Sequence, residues 1–174
     1  MNKAILGLGT NLGDREKNLF TTLGHITEQV GRVVKISPVY ETEPWGFESE
    51  DTFLNAVILV ETNLKPCSLL GRLLMIEAFM GRLREGKSYS SRIIDIDILF
   101  FSDSIINEGD LVVPHPKLHL RRFVLTPLSD IEPELIHPVI KKTISELLAE
   151  CEDNGIVKLC PNSQALQDYP LLPT

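Results

Sequence analysis

The chain of 174 residues contains few cysteines and no long apolar segment. Its three cysteines, Cys67, Cys151 and Cys160, form no C-x-x-C pair, so we expect reduced thiols in a cytoplasmic protein rather than disulfides or a zinc site. The apolar run among the first residues is too short to predict a signal peptide or a membrane span. A formal net charge of −7 disfavours non-specific binding to nucleic acid.

The glycine-rich segment near the start, Gly7-Leu-Gly9-Thr-Asn-Leu-Gly13, does not match the dinucleotide-binding fingerprint. Leu12 stands where that fingerprint requires its third glycine. Basic residues are concentrated elsewhere, on both sides of an acidic pair at 95 and 97. They are Arg82, Arg84, Lys87, Arg92, Lys117, Arg121 and Arg122. We therefore expect side chains and metal ions, rather than a glycine-rich loop, to hold any phosphate group.

That acidic pair, Asp95 and Asp97, lies in an Ile- and Phe-rich run that predicts a buried strand. Residues two apart in a strand point to the same face, so both carboxylates share one face. Carboxylates in an apolar strand are costly unless they are compensated. Two bound metal ions would compensate them, and an ion pair with Arg92 or another arginine is the alternative.

The apolar periodicity predicts a βαββαβ order followed by a C-terminal helix. Strands are expected at 3–9, 32–40, 53–62 and 92–101, and helices at 14–29, 66–80 and 143–151. This order is typical of an α+β, ferredoxin-like core with an antiparallel sheet, here with a C-terminal helical extension. We expect a single domain over residues 1–160, a loosely ordered tail over 161–174, and a loop at 41–52 that is either functional or disordered.

Several short motifs occur in a fixed order from residue 3 to about 158. They are Gly9-Thr-Asn-Leu-Gly13, Tyr40-x-Thr42-x-Pro44-x-Gly46, Phe53-Leu-Asn55-Ala, Glu77-x-x-x-Gly81-Arg82-x-Arg84, Arg92-x-x-Asp95-x-Asp97-Ile-Leu, Val113-Pro-His115-Pro, Arg121-x-Phe123 and Pro127-Leu. Together they resemble the hydroxymethyl-dihydropterin pyrophosphokinases of folate biosynthesis. The resemblance implies transfer of diphosphate from ATP to 6-hydroxymethyl-7,8-dihydropterin, with release of AMP.

The resemblance also implies two Mg²⁺ ions on Asp95 and Asp97, and the roles of further residues. The catalytic set would be Arg82, Arg92, Asp95 and Asp97. The ATP-binding set would be Glu77, Arg84, Ile98, His115 and Arg121. The pterin-binding set would be Thr42, Pro44, Trp45, Phe53, Asn55 and Phe123. We expect a monomer that binds these two small molecules and neither nucleic acid nor membrane.

The sequence departs from the family pattern at a few positions. Tyr89-Ser90-Ser91 stands where Trp-Gly-Pro is usual, Ile93 where Thr is usual, Trp45 where a smaller apolar residue is usual, and Phe53 where Tyr is common. Two other classes of protein remain open on the residues alone. A palm-type nucleotidyl transferase or cyclase also places two carboxylates on such a sheet, and an RNA-binding or regulatory module could share the fold.

Overall fold

A computed structural model describes residues 1–48, 50–81 and 92–171. The elements in this part of the chain are β1 (Asn2–Thr10), α1 (Arg15–Gln29), β2 (Arg32–Ile36), β3 (Tyr40–Thr42), β4 (Phe53–Thr62), α2 (Pro66–Phe79), β5 (Asp95–Phe101), β6 (Ile106–Glu108), β7 (Leu111–Val113), α3 (Arg122–Ile131), α4 (Ile144–Glu150), β8 (Val157–Leu159) and α5 (Ser163–Gln167). A short 3₁₀ turn covers Leu118–Leu120. The predicted α+β class is confirmed.

The main sheet is antiparallel and has the strand order β5-β1-β4-β3-β8, with β2 also paired to β4. The predicted antiparallel sheet is therefore correct, and both β2 and β3 pair with β4. β6 and β7 form a separate two-stranded ribbon. In the described part of the chain, no helix is long and apolar enough to cross a membrane.

The two faces of the sheet bury different clusters because alternate residues of a strand point to opposite sides. On one face, β1, β4 and β5 contribute Leu6, Ile58 and Ile96 to a core with α1 and α2. On the other face, Val57 and Leu99 pack against helices α3 and α4. That second face is covered over only part of its length, and the uncovered part forms the cavity described below.

Local sequence explains where the helices begin. The Asp14 side chain accepts a hydrogen bond from the Lys17 amide at 3.1 Å, which caps α1. Pro66 occupies the first turn of α2, where its missing N–H costs nothing. A capping box precedes α4, with Thr143 and Glu146 bonded in both directions, and it begins the helix that the sequence predicts at 143–151.

Two predicted strands differ from the structure, and helix α3 was not predicted. The predicted strand 32–40 is two strands, because Ser37 turns its side chain to the Val57 amide (2.9 Å) and Pro38 cannot donate to the sheet. The predicted strand 92–101 begins only at Asp95. The basic segment after 117 contains α3, whose apolar side is buried even though Pro127 lies within the helix.

The predicted loosely ordered tail is wrong for its first part. Residues 163–167 form α5, and Leu166 is only 2% exposed within the cluster under α1. The Ser163 hydroxyl accepts a hydrogen bond from the Val39 amide at 2.9 Å, and the Cys160 amide donates to the Val39 carbonyl at 2.8 Å. These contacts fix the segment beside β3.

Candidate active site

An open cavity lies on the sheet face opposite α1 and α2, and contains about 640 Å³ of space including the part open to solvent. β1, β4 and β5 form its floor, and the loop before β4 and the start of α3 form its sides. The lining includes Gly7, Gly9, Thr42, Trp45, Phe47, Phe53, Asn55, Arg92, Asp95, Asp97, Leu99, Arg121 and Phe123. Polar and charged groups thus meet aromatic rings in one concave site, as is usual for small-molecule sites.

The two carboxylates lie on the cavity floor, as the strand pattern predicts. Asp95 of β5 pairs with Gly9 of the neighbouring strand β1, and Asp97 pairs with Gly7 of the same strand. Paired residues share a face, and glycine leaves space beside each carboxylate. A Cβ on Gly9 would lie 3.1 Å from the Asn55 side-chain oxygen, which is closer than such contacts normally are. The glycines therefore keep the floor open between the acidic pair and Asn55.

The predicted alternative of an ion pair applies to both aspartates, but the two ion pairs differ in length. Arg92 Nη1 donates to Asp95 Oδ2 at 2.8 Å. Around Asp97 Oδ2, the nearest cationic groups are Arg121 Nη1 at 3.9 Å and His115 Nε2 at 4.0 Å. Both distances exceed those of a hydrogen bond. Asp95 is therefore held by a hydrogen-bonded ion pair, whereas the ion pair of Asp97 with Arg121 is longer.

Asp97 and His115 both have strongly shifted pKa values. Desolvation by the surrounding protein, followed by repulsion from Asp95, raises the pKa of Asp97 to about 7, although 36% of its side chain is exposed. Burial and the nearby Arg121 charge lower the pKa of His115 to about 4. His115 Nδ1 accepts a hydrogen bond from the Lys117 amide at 3.1 Å. In the neutral ring the proton is therefore on Nε2, which faces Asp97.

These residues fit a site for hard divalent cations. Two carboxylates on one face supply the oxygen ligands that Mg²⁺ prefers, and a bound cation would offset the desolvation and the repulsion from Asp95 that raise the pKa of Asp97. Within residues 1–48, 50–81 and 92–171, no group of three or more His, Cys, Asp or Glu side chains is arranged to hold a metal ion. The remaining ligands would therefore be water and the oxygens of a bound phosphate chain.

The other half of the cavity combines amide, hydroxyl and aromatic groups. Asn55 Nδ2 donates to Thr42 Oγ1 at 2.6 Å, and both side chains are buried. This bond fixes the amide so that its oxygen points toward Gly9. The Phe53 and Phe47 rings meet edge to face at 6.0 Å between centroids. Such a combination suits a flat heterocycle with ring donors and acceptors.

Arg121 lies where the two halves meet, at the start of α3. Its guanidinium carbon is 4.7 Å from the Trp45 ring centroid and 5.7 Å from the Phe123 ring centroid. Arg92 lies similarly over Phe53, at 5.7 Å. Each arginine thus lies over an aromatic ring and also near one aspartate of the acidic pair, Arg92 near Asp95 and Arg121 near Asp97.

Other residues expected to bind substrates have different positions. Glu77 is 1% exposed and accepts a hydrogen bond from the Ile96 amide at 2.8 Å, so it supports β5 from behind. The Ile98 side chain lies in the opposite core with α1 and α2, because it alternates with Asp97. Pro44 lies in the loop between β3 and β4 but not in the cavity lining. Arg82 and Arg84 lie outside the described residues, as do Tyr89-Ser90-Ser91.

Some residues around the cavity were not predicted as site residues. Phe47 is an aromatic residue in the mainly polar loop at 41–52, and this position in the sequence could have indicated that it lines the site. Arg15, at the start of α1, ties the two ends of that loop. Its guanidinium donates to Thr52 Oγ1 at 2.8 Å and to Glu41 Oε2 at 3.0 Å. Asn11 Oδ1 accepts from the Arg92 amide at 2.6 Å, which links the glycine-rich segment to the arginine beside Asp95.

Residues 81–88, Gly-Arg-Leu-Arg-Glu-Gly-Lys-Ser, match the letters of the phosphate-binding P-loop pattern. A P-loop connects a strand to the helix that follows it. Here the pattern follows helix α2, and the next described element is strand β5. The structural context therefore does not agree with a P-loop, and the expectation that side chains hold phosphate is retained.

Comparison with known proteins identifies the family. The family model for 7,8-dihydro-6-hydroxymethylpterin-pyrophosphokinase (HPPK) matches residues 5–133. The chain belongs to the HPPK family. A 2-amino-4-hydroxy-6-hydroxymethyldihydropteridine pyrophosphokinase of Methylorubrum extorquens is 40% identical over 91% of this chain and 99% of its own length. An HPPK of the same name from Porphyromonas gingivalis is 46% identical over 76% of this chain and 92% of its own length.

Solved structures of HPPK proteins have the same fold. The crystal structure of Plasmodium falciparum HPPK-DHPS with pteroate aligns with a TM-score of 0.71 and 22% identity, covering 86% of this chain. The chain spans 42% of the length of that two-part protein. The resemblance inferred from the motifs is thus confirmed at the level of the family.

Proposed function

We propose that the protein transfers the terminal diphosphate of ATP to the hydroxymethyl group of 6-hydroxymethyl-7,8-dihydropterin and releases AMP. The observation that carries this proposal is the meeting of two environments in one cavity. Asp95 and Asp97 form an acidic floor beside arginines, and Asn55 and Phe53 provide amide and aromatic contacts a short distance along the sheet. The names of the HPPK relatives support the same reaction.

In this reaction the pterin hydroxyl oxygen attacks the β-phosphorus of ATP. A new O–P bond forms as the bond from the β-phosphorus to the α–β bridging oxygen breaks. The hydroxyl loses its proton, and AMP leaves with the bridging oxygen. Such transfers require mainly positioning and charge stabilisation from the protein.

The residues of the cavity have complementary roles in this proposal. Asp95 and Asp97 would hold two Mg²⁺ ions, which when bound would neutralise phosphate charge and orient the reacting oxygens. Arg92 and Arg121 face the same phosphates and stabilise charge that develops on them. Neutral His115 donates from Nε2 toward the phosphate side, a role its low pKa supports.

Pterin recognition falls to the opposite half. Asn55, oriented by Thr42, would bond the edge of the heterocycle, and Phe53 and Phe123 would contact its faces. Glu77 and Ile98 would act on ATP only indirectly, through the main chain of β5. Arg82 and Arg84 keep the catalytic and nucleotide roles that the family resemblance implies.

The topology, the extent of the domain, the oligomeric state and the cellular setting belong to the same proposal. We propose that the core is ferredoxin-like, with α3 to α5 as its C-terminal helical extension; the strand order β5-β1-β4-β2, with α1 and α2 as crossovers, supports this. We propose one domain over 1–160 with the segment 161–174 attached to it, acting as a monomer. The three free cysteines support a reducing, cytoplasmic setting.

The test is a reaction with purified protein, ATP, Mg²⁺ and 6-hydroxymethyl-7,8-dihydropterin, with nucleotide products separated by chromatography. We expect AMP to form only when the pterin is present, in equal amount to the pterin diphosphate. A palm-type nucleotidyl transferase or cyclase would instead release pyrophosphate. Absence of pterin-dependent AMP, in protein that is folded by circular dichroism, would contradict the proposal.

A further inference from the structure

The feature that carries a further inference is the position of Trp45 on Arg121. The Arg121 guanidinium carbon is 4.7 Å from the Trp45 ring centroid, and Arg121 is only 6% exposed. Phe123 contacts the same guanidinium at 5.7 Å. A buried arginine is costly unless its charge is compensated, and aromatic faces compensate it most strongly where water is excluded. The two rings also restrict the planar guanidinium to few orientations.

Trp45 belongs to the loop that borders the aromatic half of the cavity. The next aromatic residue of this loop, Phe47, contacts Phe53 on the floor at 6.0 Å. Arg15 ties both ends of the loop to α1 through Thr52 and Glu41. One anchored loop therefore contacts the proposed pterin side through Phe47 and the proposed phosphate side through Trp45.

We propose that Trp45 is a positioning residue for ATP: it holds Arg121 facing the phosphate side of the cavity. The proposal rests on the function proposed above. Trp45 itself would not need to touch the nucleotide, because its effect passes through the guanidinium.

The first measurement is the Kd of Mg²⁺-α,β-methylene-ATP, determined by calorimetry without pterin. This analogue cannot be cleaved at the bond that the reaction breaks. We expect Trp45→Leu to weaken binding by about 5- to 30-fold, the range for a cation–π contact in a desolvated site. Trp45→Phe keeps an aromatic face and should recover part of the loss. Phe20→Leu, which removes an aromatic ring from α1 outside this cavity, should leave this Kd within about twofold.

A double-mutant cycle with Arg121→Met decides whether Trp45 acts through Arg121. We expect Trp45→Leu to change the nucleotide Kd by less than about twofold when Arg121 is already absent. An equal loss in both backgrounds would overturn the proposal. If Arg121→Met does not fold, the comparison of Trp45→Phe with Trp45→Leu decides it, and equal Kd values for those two variants would overturn it.

The two proposals can fail separately. Trp45 is the only tryptophan in the chain, so acrylamide quenching of its emission reports on this contact without any substrate. Quenching should be stronger in Arg121→Met than in the unaltered protein, and equal quenching would overturn the contact. Failure of the unaltered protein to form pterin-dependent AMP would instead overturn the proposed function. The quenching experiment would still test the contact between Trp45 and Arg121, because it uses no substrate.

Discussion

Replacement of Asp97 by Asn should stabilise the metal-free fold and nearly abolish turnover. The carboxylate is desolvated and lies beside Asp95, which together raise its pKa from 3.8 to about 7. Converted in full at about 1.36 kcal/mol per pKa unit, that shift corresponds to about 4 kcal/mol. Because 36% of the side chain is exposed, solvent screening reduces this to roughly 1–2 kcal/mol. For a chain of this size, we expect the melting temperature to rise by roughly 2–8 °C.

The pH dependence follows from the direction of the pKa shift. Between about pH 4 and pH 7, the folded protein retains a proton on Asp97 that the unfolded chain has lost. Stability therefore falls as pH rises through this range, and the penalty is constant above it. The gain from Asp97→Asn should be near zero at about pH 4 and largest above pH 7. Urea unfolding in EDTA at several pH values measures it.

The matched control is Asp103→Asn, which removes the same charge from an exposed turn. It separates the local effect from relief of the net charge of −7. With Mg²⁺ and α,β-methylene-ATP, the unaltered protein should gain stability by ligand binding, whereas Asp97→Asn should gain much less. The kcat of Asp97→Asn should fall by at least about 10²-fold. If Asp97→Asn is instead destabilised in EDTA at neutral pH, the carboxylate is a structural partner of Arg121 and His115, and the reasoning is wrong.

Three further changes probe other parts of the molecule. Asn55→Ala should raise the KM for the pterin about tenfold or more, because it removes the amide that Thr42 orients. Steady-state kinetics measures this KM, and an unchanged value would contradict the role of Asn55. Glu77→Ala should cost about 1–3 kcal/mol in urea unfolding by leaving the Ile96 amide without its acceptor, while Glu77→Gln should recover much of it; equal losses would exclude the hydrogen bond as the cause. Leu166→Ala should cost about 2–5 kcal/mol in the same assay, and a neutral result would mean that the C-terminal segment is not part of the core.

The acidic side of the site was predictable because local periodicity settles it. Asp95 and Asp97 are two apart in an apolar strand, so they must share a face whatever surrounds the sheet. The helix starts at Asp14 and Thr143 were equally local, since each depends on a cap and the three residues after it.

Helix α3 and the C-terminal helix α5 were missed for a common reason. The segment at 122–131 has a proline within it, which disfavours a helix, although its apolar residues recur at helical spacing. It is helical because Val124 and Leu128 fill the sheet face beside the cavity. Leu166 likewise orders its segment only by entering a core built from residues far away in the chain.

The amino-acid sequence by itself determined the family, the α+β class and the pairing of two carboxylates on one strand face, because motifs and strand alternation are properties of neighbouring residues. Only the tertiary structure decided that Arg92 is hydrogen-bonded to Asp95 while Arg121 lies farther from Asp97, that Glu77 is buried behind β5, and that Trp45 covers Arg121. Those outcomes depend on distances between elements that are far apart in sequence. Such distances are set by packing of the whole core, which no local pattern records.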